Sequence, residues 1–184
     1  MVLVVAAIGR SGSGKTVTIE YLIKQFSVEN YRVGAVKHIH HMGFTIDTEG
    51  KNTWRYARAG ARVIVAVSPD ETVVIKKVRQ DVDRFERVIE ALRRDEELDI
   101  VFVEGYHELM AKRDDVVKIV VLRDEEFLQK VLDETVEPIV AISGLIAERL
   151  NADVIQGYPV IKIPDDGKKL VELIKHHLSI QKRN

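Results

Sequence analysis

The sequence predicts an α/β protein of three layers, with a largely parallel, open sheet and helices on both faces. Three observations carry this. Short apolar runs of strand length alternate with segments whose apolar residues recur at helical spacing, as in strand–helix units of a parallel sheet. The first such unit joins its strand to its helix through a glycine-rich turn. The 184 residues show no repeat, linker or low-complexity segment, so one domain spanning 1–184 is expected.

The first strand is the apolar run 2–8 (VLVVAAI), and residues 9–16 (GRSGSGKT) follow it directly. These eight fit G-x-x-x-x-G-K-[ST], a phosphate-binding pattern that has meaning only between a strand and a helix. The helix is there: Ile19, Leu22, Ile23 and Phe26 recur at i, i+3, i+4 and i+7. A triphosphate concentrates negative charge in a small volume. Glycines let a loop turn its backbone N–H groups inward, and the start of the following helix adds unpaired N–H groups and about half a positive charge. Gly9, Arg10, Ser11, Gly12, Ser13 and Gly14 are therefore the expected phosphate cradle. Lys15 is expected at the β- and γ-phosphates and the Thr16 hydroxyl on Mg²⁺. A glycine-rich turn without a ligand is the plain alternative.

Residues 31–36 (YRVGAV) read as the second strand, and 37–47 (KHIHHMGFTID) as a polar loop. A short helix is expected over 52–59, stopped by Gly60. Residues 62–67 (RVIVAV) read as a buried strand and 71–78 as its hairpin partner through Pro69-Asp70. Val82, Phe85, Val88, Ile89 and Leu92 mark one face of a helix over about 81–94, and the charged run 93–97 reads as its solvated end. Residues 99–104 (DIVFVE) form an apolar strand ending in a carboxylate. Then come a strand over 116–122, a helix over 124–132, a strand over 139–142 and a last or edge strand over 160–163. Asp165, Asp166 and Gly167 open a final helix with Leu170, Leu173, Ile174 and Leu178 on one face. Ligands of such sheets bind beyond the carboxyl ends of the strands, so the phosphate loop, the histidine loop and Glu104 should gather on one edge.

A phosphate loop needs an acidic partner for its metal. Glu104, ending an apolar strand, is the first candidate, reaching Mg²⁺ directly or through a water; a surface carboxylate is the alternative. Asp47 is the second. It could hold a metal-bound water or orient the attacking water, or it could simply cap the helix that follows. The cluster His38, His40 and His41 has three readings: metal binding, contact with an anionic substrate or partner, and an exposed polar loop. Arg10 could serve hydrolysis as an arginine finger or face solvent.

Composition excludes several classes. Cysteine is absent, which removes disulfides, Cys-ligated zinc, iron–sulfur clusters and a thiol nucleophile, and suits a cytoplasmic protein. A net charge of −1, from 28 basic and 29 acidic residues, gives no support for nucleic-acid binding. The apolar run ending at Ile8 is too short to span a membrane and has no basic leader, so neither membrane association nor a signal peptide is expected.

GRSGSGKT with its helix, YRVGAVKHIHH, the turn of Asp47, Gly50 and Lys51, Trp54-Arg55 with Ala59-Gly60-Ala61, and VFVEGYH together resemble the MobB family, the molybdopterin-guanine dinucleotide biosynthesis protein B, over roughly residues 1–125. The resemblance implies a P-loop NTPase-like fold, GTP binding with weak GTPase activity, Mg²⁺ and a homodimer. It also implies an accessory role beside a molybdenum cofactor guanylyltransferase that attaches GMP to molybdopterin, with direct contact to molybdopterin left open. Gly9 to Thr16 would bind phosphates and Mg²⁺, Glu104 and Asp47 would lie near the metal, and His38, His40 and His41 would line the loop over the phosphates or the pterin side. Asn52 follows Lys51 where an Asp is expected, and no N-K-x-D segment selects guanine. The base site would fall to the loop with Ser143 and Gly144 or to the segment near Pro164-Asp165. A small-molecule kinase using ATP or GTP is the alternative enzyme, with Arg55, Arg58 and Arg62 as lid candidates, and a pure interaction module is the third reading.

Overall fold

The computed structural model describes residues 2–39, 41, 43–77, 82–95, 97–150 and 152–181. They fall into two compact units, Met1–His38 with Ile89–Asn184, and Ile39–Val88.

The first unit contains β1 (Leu3–Ile8), α1 (Lys15–Val28), β2 (Val33–Lys37), β5 (Ile100–Glu104), α4 (His107–Ala111), β6 (Val117–Val121), α5 (Leu128–Asp133), β7 (Ile139–Ser143), α6 (Leu145–Arg149), β8 (Val154–Ile155), β9 (Tyr158–Ile161) and α7 (Gly167–Gln181). Seven strands form one sheet in the order β2-β5-β1-β6-β7-β9-β8, parallel throughout except for the β8–β9 pair. Every residue of β1, β5, β6 and β7 is buried. This explains why these strands read as near-continuous apolar runs, broken within β6 by Lys118 and closed in β5 by Glu104: a parallel sheet is covered on both faces, and alternation disappears. On one face Ile19, Leu22 and Phe26 of α1 and Leu170, Ile174 and Leu178 of α7 pack with Leu3, Val5, Phe102 and Ile119. On the other, Leu128 and Leu132 of α5 and Ile146 of α6 pack with Val120, Ile142 and Val160. The expected three layers are thus present.

Several elements differ from the sequence reading, and the two-residue strand β8 was not expected. The helix expected from residue 124 starts at Leu128, because 124–127 form bends and a turn. The strand expected over 160–163 is β9, which starts at Tyr158 and lies inside the sheet, with β8 on its far side. Helices α4 and α6 were not expected at all; five residues hold too little of a 3.6-residue period to show one.

The second unit contains α2 (Asn52–Arg58), β3 (Val63–Val67) and β4 (Thr72–Lys76), and α3 (Val82–Arg93) crosses the boundary between the units in sequence. β3 and β4 form the expected antiparallel hairpin, with Val67 opposite Thr72 and Val65 opposite Val74. They form a two-stranded sheet of their own. The expectation of a buried strand over 62–67 is corrected. Ile64 is buried, but Val63, Val65 and Val67 are 56%, 57% and 76% exposed, because a two-stranded sheet has only one face covered. In α3, Phe85 and Ile89 are buried as expected, whereas Val88 is exposed.

Candidate functional site

The parallel register brings three strand ends to one level: Ala7 of β1 and Lys37 of β2 both pair with Glu104 of β5. The glycine-rich loop leaves β1 there. At Gly9 a Cβ would lie 1.9 Å from the Val121 carbonyl oxygen at the end of β6, so only glycine lets the loop depart this close to the neighbouring strand. The buried Ser13 hydroxyl donates to the Arg10 carbonyl at 2.9 Å, and the Lys15 ammonium donates to the same carbonyl, folding the loop on itself. Gly14 takes a left-handed φ of 101°, and no side chain caps the N-terminus of α1. The loop leads directly into the unpaired N–H groups of the first turn, the arrangement that receives anions.

Thr16 stands in that first turn and donates its hydroxyl to Glu104, 3.1 Å from Oε1 and 3.0 Å from Oε2. Glu104 is 9% exposed and also forms an ion pair with Lys37. Burial holds the Lys15 ammonium below its ordinary pKa; Glu104 opposes the shift and Lys37 adds to it. The loop thus holds a cation that gains from an arriving phosphate. A hydroxyl beside a carboxylate is the hard-oxygen pair that suits Mg²⁺, which keeps several waters and takes few protein ligands. Lys37 was missed in the sequence. Its signal was a charge at a strand end, but its meaning depends on β2 lying beside β5, and strand order is not written in any local pattern.

The histidines separate. The His38 N–H donates to the Glu104 carbonyl at 2.8 Å, and its ring stacks on Tyr106 with centroids 3.5 Å apart. Gly105 makes this possible, since a Cβ there would lie 2.5 Å from Cβ of His38. His41 is exposed in the second unit, and His40 lies outside the described residues. Among the described residues no three His, Cys, Asp or Glu side chains are grouped to hold a metal. Asp47 belongs to the second unit. Its Oδ1 accepts from the Thr48 N–H at 3.0 Å and the Thr53 hydroxyl at 2.8 Å, while its buried Oδ2 has no partner among the described residues. The N-cap of α2 is Lys51, so Asp47 ties the turn to the helix without capping it. Arg58 lies over Trp54, its guanidinium carbon 5.7 Å from the ring centroid.

Of the base-site candidates, Ser143 is fully buried and donates its hydroxyl to the Ile161 carbonyl at 2.8 Å, tying β7 to β9. Gly144 packs against the loop: a Cβ there would lie 2.4 Å from the Ser13 carbonyl oxygen, and the Leu145 N–H donates to that oxygen at 3.2 Å. Arg10, inside the loop, places its guanidinium carbon 4.2 Å from the centroid of the Phe127 ring. No sequence signal linked these two residues.

Comparison with known proteins agrees with this arrangement. The family model for molybdopterin guanine dinucleotide synthesis protein B, MobB, matches residues 4–144. The molybdopterin-guanine dinucleotide biosynthesis adapter protein of Haemophilus influenzae is 30% identical over 141 residues, covering 73% of this chain and 70% of that one. The protein of the same name from Escherichia coli is 30% identical over 125 residues, 67% of each chain. The crystal structure of Bacillus subtilis MobB superposes with a TM-score of 0.69 at 26% identity, covering 95% of this chain and 96% of that one. The matched stretch contains the glycine-rich loop, Glu104 and the strands that bring them together; on this P-loop NTPase fold, the chain belongs to the MobB family.

Proposed function

We propose that the protein is a GTP-binding adapter with slow GTPase activity that assists a guanylyltransferase in attaching GMP to molybdopterin. The observation that carries the nucleotide part is the Thr16–Glu104 pair at the head of the glycine-rich loop. In this reading the backbone of residues 9–14 and the Lys15 ammonium bind phosphates. Thr16 and Glu104 hold Mg²⁺, which neutralises charge on the β- and γ-oxygens when bound. Asp47, whose Oδ2 lacks a partner among the described residues, is read as holding a water, and His38, bonded to the Glu104 carbonyl, as bordering the phosphate side. Slow hydrolysis fits Arg10, whose guanidinium is occupied by the Phe127 ring. The adapter role follows the names of the relatives, and the choice of GTP follows the resemblance to the MobB family.

We also read the chain as a homodimer and residues 1–184 as one functional domain. The exposed valines of β3 and Val74 of β4 support the dimer, since contiguous apolar surface marks contact sites. Among the described residues no helix is long and apolar enough to cross a membrane.

Titrations of GTP and ATP with Mg²⁺ on one preparation test the reading. Preference for GTP supports it. Preference for ATP, or transfer of phosphate to an added small acceptor, overturns the adapter role in favour of a kinase. Lys15→Ala should weaken triphosphate binding with the fold intact, and retained affinity in a folded variant would sink the phosphate-loop assignment.

A further inference from the structure

A cleft of about 460 Å³ opens beside the glycine-rich loop, between α4 and α5, with Ile8, Gly9 and Arg10 on its floor. Apart from Gly9 and Arg10, the nucleotide reading uses none of its lining. Its volume lies within the range of small-molecule pockets. The backbone shapes it deliberately. Gly105 and Tyr106, with φ of 103° and 50°, are consecutive left-handed residues between β5 and α4, and His107, the first residue of α4, lines the cleft. A left-handed conformation at a residue as large as tyrosine is costly and persists where surrounding structure enforces it; here the stack on His38 does so.

The lining has a distinct chemistry. The Arg10 guanidinium carbon stands 4.2 Å over the centroid of the half-buried Phe127 ring, placing a cation on an aromatic face. Lys112, at the end of α4, and Lys130, on α5, line the cleft together with His107. Arg10, Lys112 and Lys130 outnumber the two carboxylates of the lining, Glu108 and Glu134, of which Glu134 lies 3.7 Å from Lys130. A planar guanidinium and an aromatic ring suit a flat ring, and ammonium groups suit an anionic substituent.

We propose that this cleft is a second binding site, adjoining the phosphate cradle at Gly9 and Arg10, for a small ligand that carries a phosphate on a flat ring. The site goes beyond the nucleotide reading and shares only Gly9 and Arg10 with the loop.

Phenyl phosphate, the simplest member of this class, is the probe, with methyl phosphate as the ring-free control. Both are titrated by calorimetry and ligand-observed NMR into the full chain saturated with GDP, and into Lys15→Ala. The proposal expects saturable binding of phenyl phosphate in both proteins, at least fivefold tighter than methyl phosphate. Phe127→Leu should remove most of the advantage of the ring. Lys112→Glu with Lys130→Glu, both exposed positions, should weaken binding at least tenfold while GDP affinity stays unchanged. Absence of saturable binding, displacement by GDP, loss in Lys15→Ala, or binding that ignores the cleft variants would overturn it. The cleft variants decide the matter whether or not GDP binds, so failure of the nucleotide reading is seen separately, in the GDP titration.

Discussion

Thr16 and Glu104 are 88 positions apart in sequence, yet the Thr16 hydroxyl lies 3.0 and 3.1 Å from the two oxygens of one carboxylate. The contact exists because β1 and β5 are parallel neighbours in register, so the helix that follows β1 starts over the end of β5. Removing the Glu104 charge should therefore affect the metal and spare the sheet. Glu104→Gln keeps the size and a hydrogen-bonding oxygen, but no longer offers an anion to Lys37 or to a metal-bound water. We expect the strengthening of triphosphate binding by Mg²⁺ to fall about 10–100-fold, as for other ligand-orienting partners. Affinity measured with Mg²⁺ and with excess chelator checks this; the value in chelator should barely move.

Lys118 of β6 is fully buried, with its ammonium bonded to the carbonyls of Arg113 and Glu137. Burial lowers its pKa from the ordinary 10.5, against the pull of Asp115 and Glu137. Between the lowered folded value and 10.5 the unfolded chain binds more protons, so stability should rise as pH rises through that window. Lys15 contributes with the same sign. Lysines raised by carboxylate partners, such as Lys169 and Lys175, lose their contribution only above 10.5 and leave the window untouched. Lys118→Met should flatten the rise by up to about 1.4 kcal/mol per pH unit. Denaturant unfolding at a series of alkaline pH values measures it, and an unchanged slope would place the titration elsewhere.

The phosphate loop was legible because its whole pattern is contiguous and its flanks carry their own periodicities. Glu104 was legible because a carboxylate ends an apolar run. What was not legible depends on neighbours in space. Lys37 reaches Glu104 only because β2 adds beside β5. Phe127 meets Arg10 only because the chain after β6 bends for several residues before α5 begins. Residues 63–67 are as apolar as β1, yet alternate valines stand in solvent. An apolar run records an affinity for burial, and it does not say whether the same chain supplies the cover.

That uncovered face gives a prediction about assembly. Val65 and Val74 are direct cross-strand partners and both are exposed, at 57% and 52%. Val65→Lys with Val74→Glu puts opposite charges at the paired positions, which preserves the hairpin while removing apolar surface from its face. If the dimer forms through this face, the double variant should sediment as a monomer at concentrations where the parent is a dimer. A monomeric parent would overturn the dimer itself.

Gly9 and Gly12 sit in the same loop but should respond differently to alanine. A Cβ at Gly9 would lie 1.9 Å from a main-chain oxygen of β6, and neither strand can yield without disturbing a fully buried sheet. Gly9→Ala should cost ~3 kcal/mol, the upper part of the overpacking range. For a chain of this size that lowers Tm by roughly 6–12 °C. At Gly12 a Cβ meets nothing within 4 Å, and only its left-handed φ of 73° resists the change. Gly12→Ala should cost about 1 kcal/mol and move Tm by roughly 2–4 °C. Its main effect should be on triphosphate affinity, because the added methyl stands on the backbone that must approach the phosphates closely. Thermal unfolding and GTP titration of the two variants separate these effects. Equal losses of Tm would mean that the close approach of Gly9 to Val121 carries no more stability than an ordinary left-handed turn.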